Sequence, residues 1–158
     1  MAISLVPGVG LGTGAVVQVQ SFTTNTASST TSSTPVATAV TVSITPKFST
    51  SKILVIANLG ACSSTGGSMQ FTLNRAGTNI ALGTGATYNV TSVVTQNGMS
   101  SASAFNAGFS YLDSPATTSS TAYTIYLSTE TGTAVINKRQ TDTFVSTVST
   151  ITVLEIAT

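Results

Sequence analysis

Hydrophobic and polar positions alternate along most of this chain with the period of two that marks strands carrying one buried face. Residues 15–22 set Val17 and Val19 against Gln18 and Gln20. Residues 36–45 place Val36, Val40, Val42 and Ile44 on one face, and Pro46 stops the run because it cannot donate to a ladder. Residues 53–59 are apolar at successive positions, the pattern of a strand covered on both faces, inside a sandwich or at a subunit contact. Alternation returns through Met69, Phe71 and Leu73, and residues 79–82 continue it after Ala76-Gly77-Thr78, a connection suited to a hairpin. Residues 89–95, 104–112, 122–128, 133–137 and 149–157 have strand composition with turn signals between them.

Two segments depart from alternation. Residues 1–14 have glycine at positions 8, 10, 12 and 14 and read as an extended arm whose backbone can lie close against another surface. Its candidate docking side chains are Ile3, Leu5, Val6, Pro7, Val9 and Leu11. Residues 23–35 are a run of Thr, Ser, Ala and Asn with little to bury, expected as a long surface loop. About a third of the chain is Ser or Thr, and no segment has a clear helical period. Nine or ten short strands without a helix predict an all-β fold: an antiparallel β-sandwich of jelly-roll type over residues 15–158, preceded by the arm. At 158 residues the chain can bury roughly 70% of its unfolded surface in one core, with no room for a second domain.

Charge changes the picture. Only 6% of residues are charged, against roughly 25% in an average globular protein, and none precedes Lys47. A dispersed monomer relies on scattered charge, whereas this chain carries a formal +1, which implies a surface largely covered by partners. Nucleic acid is not expected among them, since phosphate binding needs clustered basic residues and there are five in all. The one doublet, Lys138-Arg139, has Asp142 nearby to balance it. Residues 1–20 lack the basic start of a secretory signal, and no apolar run approaches the roughly 18 residues of a spanning helix, so membrane insertion is not expected. Cys62 is the single cysteine and can form no intramolecular disulfide.

Chemistry is sparse. Without histidine, the Ser-His-Asp and Cys-His nucleophile systems are excluded, together with the commonest neutral metal ligand. The four acids, Asp113, Glu130, Asp142 and Glu155, could supply the carboxylate pair of a polysaccharide depolymerase. Structural roles fit them better: Asp113 lies in Leu-Asp-Ser-Pro, where an Asx-type turn is expected, and Glu130 precedes Thr-Gly at a hairpin tip. Glu155 is in phase with Ile151 and Val153, so it is either buried with a basic partner such as Arg75 or placed at a subunit contact.

Residues 10–15 loosely match a dinucleotide-binding pattern, but the strand that follows offers no helix N-terminus to a phosphate. Asn89-Val90-Thr91, formally a glycosylation acceptor, lies inside an apparent strand. Tyr88, Tyr111, Tyr123, Tyr126, Phe105 and Phe109 could stack on sugars but are expected in the core, except Tyr126. That residue is in opposite phase to Tyr123, Ile125 and Leu127 and is expected to face outward or toward a neighbouring subunit. No catalytic residue, cofactor or metal is expected.

Five stretches are similar to β-rich modules of virion appendage and tail-fibre proteins of bacteriophages, particularly marine ones. They are Val42-Ser-Ile-Thr-Pro-Lys47, Ser51-Lys-Ile-Leu-Val55, Leu73-Asn-Arg-Ala-Gly-Thr-Asn-Ile80, Tyr111-Leu-Asp-Ser-Pro-Ala-Thr-Thr-Ser119 and Ser149-Thr-Ile-Thr-Val-Leu-Glu-Ile156. The resemblance implies a compact sandwich, usually trimeric, displayed on the outside of the particle, and it names no catalytic residue. The chain lacks the repetitive shaft of a fibre. The expectation is therefore a non-enzymatic virion protein, made in the host cytoplasm, whose trimer decorates or cements the capsid on its exterior. Its partners would be itself and the major capsid protein or a tail protein. The alternative is a host-recognition knob contacting surface glycan through residues 23–35 and 84–88.

Overall fold

The computed structural model describes residues 12–84, 93–94, 104–139, 141 and 144–158. Eleven strands account for the regular structure of these residues: β1 (Val16–Thr24), β2 (Ser28–Thr30), β3 (Val36–Ile44), β4 (Lys52–Gly66), β5 (Met69–Arg75), β6 (Thr78–Ile80), β7 (Val93–Val94), β8 (Phe105–Asp113), β9 (Thr121–Thr129), β10 (Gly132–Ile136) and β11 (Ser149–Ile156). No helix occurs among them. The arm residues Ile3, Leu5, Val6, Pro7, Val9 and Leu11 lie outside the described residues, as do Tyr88, the Asn89-Val90-Thr91 triplet and Asp142.

Every pairing is antiparallel. In the first sheet the order is β1-β11-β4-β8, and beyond it the far end of β4 pairs with β10, which pairs with β2. The second sheet has the order β3-β9-β5-β6, with β7 also against β5. Apart from the β5–β6 hairpin, the principal strands β1, β3, β4, β5, β6, β8, β9 and β11 alternate between the sheets in chain order. That alternation is the jelly-roll arrangement the strand count predicts.

The core lies between the sheets. From the first come Ile53, Val55, Ala57, Leu59, Ala107, Ile151 and Val153; from the second, Val40, Val42, Ile44, Met69, Phe71, Leu73, Tyr123, Ile125 and Leu127. Nearly all are in the inward phase of the period-two pattern, and burying each Val, Leu, Ile, Phe or Met among them contributes about 1.5–3 kcal/mol. Phe105, Phe109 and Tyr111 pack against this core, so these aromatics serve packing. The hairpin turns at Ala76 and Gly77, with φ of 46° and 92°. Positive φ at both central residues gives the twist that two-residue hairpins favour.

Four expectations are corrected. Residues 23–35 are not a plain loop: β1 runs to Thr24, and β2 pairs with β10 through Ser28, Ser29 and Thr30, because backbone pairing needs no apolar side chain. β1 is not covered on one face as expected; among the described residues it is an edge strand paired only with β11, bulged between Val16 and Gln18, and none of its residues is buried. In β3 the register shifts between Ala37 and Thr41, turning Val36 out to solvent and Thr38 inward, where its hydroxyl donates to the Ile125 carbonyl at 2.7 Å. Finally, within one chain β4 is covered on one face only, since Leu54 is half-buried and Ile56 is 37% exposed, so the interior of the sandwich does not account for the second apolar face and a subunit contact is the alternative left.

Candidate interaction surface

The outward face of the first sheet carries exposed apolar side chains in register. Strand pairing sets Val19 on β1 beside Leu154 on β11, Leu154 beside Leu54 on β4, and Leu54 beside Leu112 on β8. One apolar row thus crosses all four strands in the phase opposite the core. Val19 and Leu112, at its two ends, are 51% and 49% exposed. Val16 and Ile156 extend it on one side and Ile56 on the other. The following row, Ser21, Thr152, Ile56 and Ser110, is mostly hydroxyl-bearing, and Lys52 is the one charged residue in these rows. Scattered exposed apolar residues are ordinary, but an aligned row across a sheet is a contiguous patch of the kind that marks an interaction site.

The second sheet differs. Its outward residues on β5, Gln70, Thr72 and Asn74, are buried within the chain, as is Ser128 on β9, whose hydroxyl donates to Gln70 Oε1 at 3.2 Å. Tyr126 faces outward as its phase predicts, half-buried between Ala37 and Thr72.

Glu155 occupies an interior site with no exposed surface. Its Oε1 accepts the consecutive backbone amides of Lys47 and Phe48 at 2.8 and 3.1 Å, and Oε2 accepts Gln18 Nε2 at 2.6 Å. Gln18 also donates to the Thr45 carbonyl at 2.7 Å. Burial pushes the carboxyl up, but the Gln18 and Lys47 hydrogen bonds, the buried Ser51 hydroxyl nearby and the Phe48 amide outweigh it, so it ionises below the ordinary 4.5. Neither sequence expectation holds here: the partner is not Arg75, and the carboxylate, fully enclosed by its own chain, is not presented to another subunit. Peptide amides supply the compensation that a cation would otherwise provide.

Arg75 instead pairs with Asp113. Its Nη1 lies 2.8 and 3.0 Å from the two carboxylate oxygens, and the Tyr123 hydroxyl donates to Oδ2 at 2.7 Å. Asp113 closes β8, while Arg75 and Tyr123 belong to β5 and β9, so the cluster clamps one sheet to the other. Asp113 is therefore a buried inter-sheet acceptor and not the turn residue its Ser-Pro context suggests. Burial, then the hydrogen bond to this carboxylate, push the Tyr123 phenol well above its ordinary 10.0, with Arg75 opposing.

At the other end of the first sheet, buried Asn137 has φ of 65° and donates through Nδ2 to the carbonyls of Thr24 and Thr26. Its Oδ1 accepts from Ser149 Oγ at 2.6 Å, which in turn accepts the Gly60 amide at 3.0 Å. An open groove of about 570 Å³ lies alongside, lined by Asn58, Leu59, Gly60, Asn106, Ser146, Thr147 and Val148. Sequence reasoning missed this groove, because its amides and hydroxyls come from three separated segments. No group of three or more His, Cys, Asp or Glu side chains able to hold a metal occurs among the described residues. No described helix is long and apolar enough to cross a membrane.

No protein-family model matches the chain, and no curated protein matches it. Among solved structures, a chain from the infectious bursal disease virus Gt strain aligns with 100% of this chain and 41% of its own length, at 16% identity and a TM-score of 0.37. One from the Gx strain aligns with 99% and 46%, at 14% identity and a TM-score of 0.39. The chain spans less than half the length of either. Likeness this distant transfers neither fold nor role.

Proposed function

We propose that this chain is a non-enzymatic structural subunit of a bacteriophage particle, working as an exterior homotrimer of jelly-roll modules that decorates or cements the capsid. The observation that carries this reading is the open apolar row from Val19 to Leu112 on a chain with only 6% charged residues. A module so built gains by burying surface against neighbours. The phage assignment comes from the five stretches that resemble virion appendage modules. Asp113 and Glu155 favour a structural over a catalytic role, because both are buried and committed to hydrogen bonds. In this reading residues 1–14 dock each copy, and the added contact area stabilises the shell by mass action.

Cryo-electron microscopy of intact particles is the test. Density for this chain at many symmetric capsid positions is expected. Density at the tail alone would favour host recognition, and absence from particles would overturn both. Host recognition has one observation in its favour: the groove beside Asn58 and Asn106 offers amides and hydroxyls suited to a glycan. Binding of purified protein to host surface glycan, lost in Asn106→Ala, would establish it.

A further inference from the structure

We infer that the outward face of the β1-β11-β4-β8 sheet is where one copy of this chain meets another, with the Val19 side of one copy against the Leu112 side of the next. This rests on the homo-oligomeric part of the reading above and names the surface responsible.

Area comes first. The row of Val19, Leu154, Leu54 and Leu112 is one residue deep, too small for a lasting contact. The whole face, four strands at about 4.8 Å spacing and about eight residues at 3.3 Å rise, projects to roughly 500 Å². Side-chain relief adds to that; in a ring the face is divided between two neighbours, so each contact takes roughly half of it, and the two together hold each copy by an area of the order of the ~800 Å² that a stable interface buries per partner.

Charge identifies the occupant. A partner with an ordinary surface, roughly 25% charged, would have to strip water from charges against Leu54, Leu154 and Leu112 without returning hydrogen bonds. A second copy avoids this, since its corresponding face carries only Lys52 among the same rows. Four hydroxyls of the face need no new partners either. Ser21 and Thr152 hydrogen-bond each other at 2.8 Å, and Thr23 and Thr150 at 3.1 Å, so burying them strands no hydroxyl.

Exposure gives the geometry. Within the row it is greatest at the two edge strands and smaller at Leu54 and Leu154 in the middle. In a closed ring the β1 side of one copy approaches the β8 side of the next, which covers the residues left most open. Closure leaves no apolar face for further growth.

Equilibrium sedimentation of the full chain tests this. Wild type is expected at three times the 15.9 kDa chain mass. Val19→Lys combined with Leu112→Lys, both at half-exposed positions, sets like charges against each other across the contact and is expected to weaken association at least 100-fold and sediment as single chains with an unchanged circular dichroism spectrum. Ser110→Lys, at an exposed position in the adjacent row, should also dissociate the assembly and guards against misfolding of the double variant. Ser43→Lys, exposed on the second sheet, should keep the wild-type mass. Wild-type mass in both first-sheet variants, or dissociation by Ser43→Lys alone, would overturn the inference. Single-chain wild type would overturn it together with the homotrimer. Particle location, read separately by microscopy, decides the virion reading whichever way sedimentation falls.

Discussion

The Lys47 backbone amide donates to the Glu155 carboxylate at 2.8 Å, fastening the corner between β3 and β4 to the last strand of the fold. A carboxylate accepting consecutive amides and a side-chain amide is fully compensated inside the protein, which is how a charged residue can occupy an inward position among Ile151 and Val153. Glu155→Ala strands these donors and is expected to cost about 3 kcal/mol, read from the urea midpoint at neutral pH.

The same carboxyl makes stability depend on pH. Its folded pKa lies below the unfolded value near 4.5, so its stabilisation is complete above the unfolded value and is lost as pH falls through the folded one. Urea unfolding between pH 6 and pH 2 is expected to show a decline in stability that is shallower in Glu155→Ala. Equal slopes in the two proteins would assign the acid sensitivity to other groups.

Across the sandwich, Asp113 is held by Arg75 and Tyr123. Arg75→Leu leaves a buried carboxylate with one neutral donor. The fully buried figure of 3–5 kcal/mol is reduced here because Arg75 is 28% exposed, giving an expected loss of about 2–3 kcal/mol. Tyr123→Phe removes one hydrogen bond and should cost about 1–2 kcal/mol. A double-mutant cycle should show coupling, since both partners act on one carboxylate.

Gly132, with φ of 75°, starts β10 where its backbone passes over β4, and a Cβ there would lie 1.4 Å from the Thr65 carbonyl oxygen. Backbone must move to admit it. Gly132→Ala is expected to destabilise by at least about 2 kcal/mol, visible as a lower melting temperature, and to disturb the β10 pairings more than the main core.

The sequence by itself determined most of the strands, though not β2, together with the inward set from Val40 to Val153 and the hairpin at Ala76-Gly77, because pleating and turn twist are local and leave a period of two and a glycine where φ turns positive. It also carried the apolar excess of residues 53–59. Only the tertiary structure decided that Val19, Leu154, Leu54 and Leu112 form one row, because register between distant strands is fixed by stacking both sheets at once. The bulge that turns Val36 out and Thr38 in, and the exchange of partners that gives Arg75 to Asp113 and backbone amides to Glu155, were hidden for the same reason. Charge pairing and peptide compensation depend on which groups come within about 3 Å, a distance that spacing along the chain does not encode.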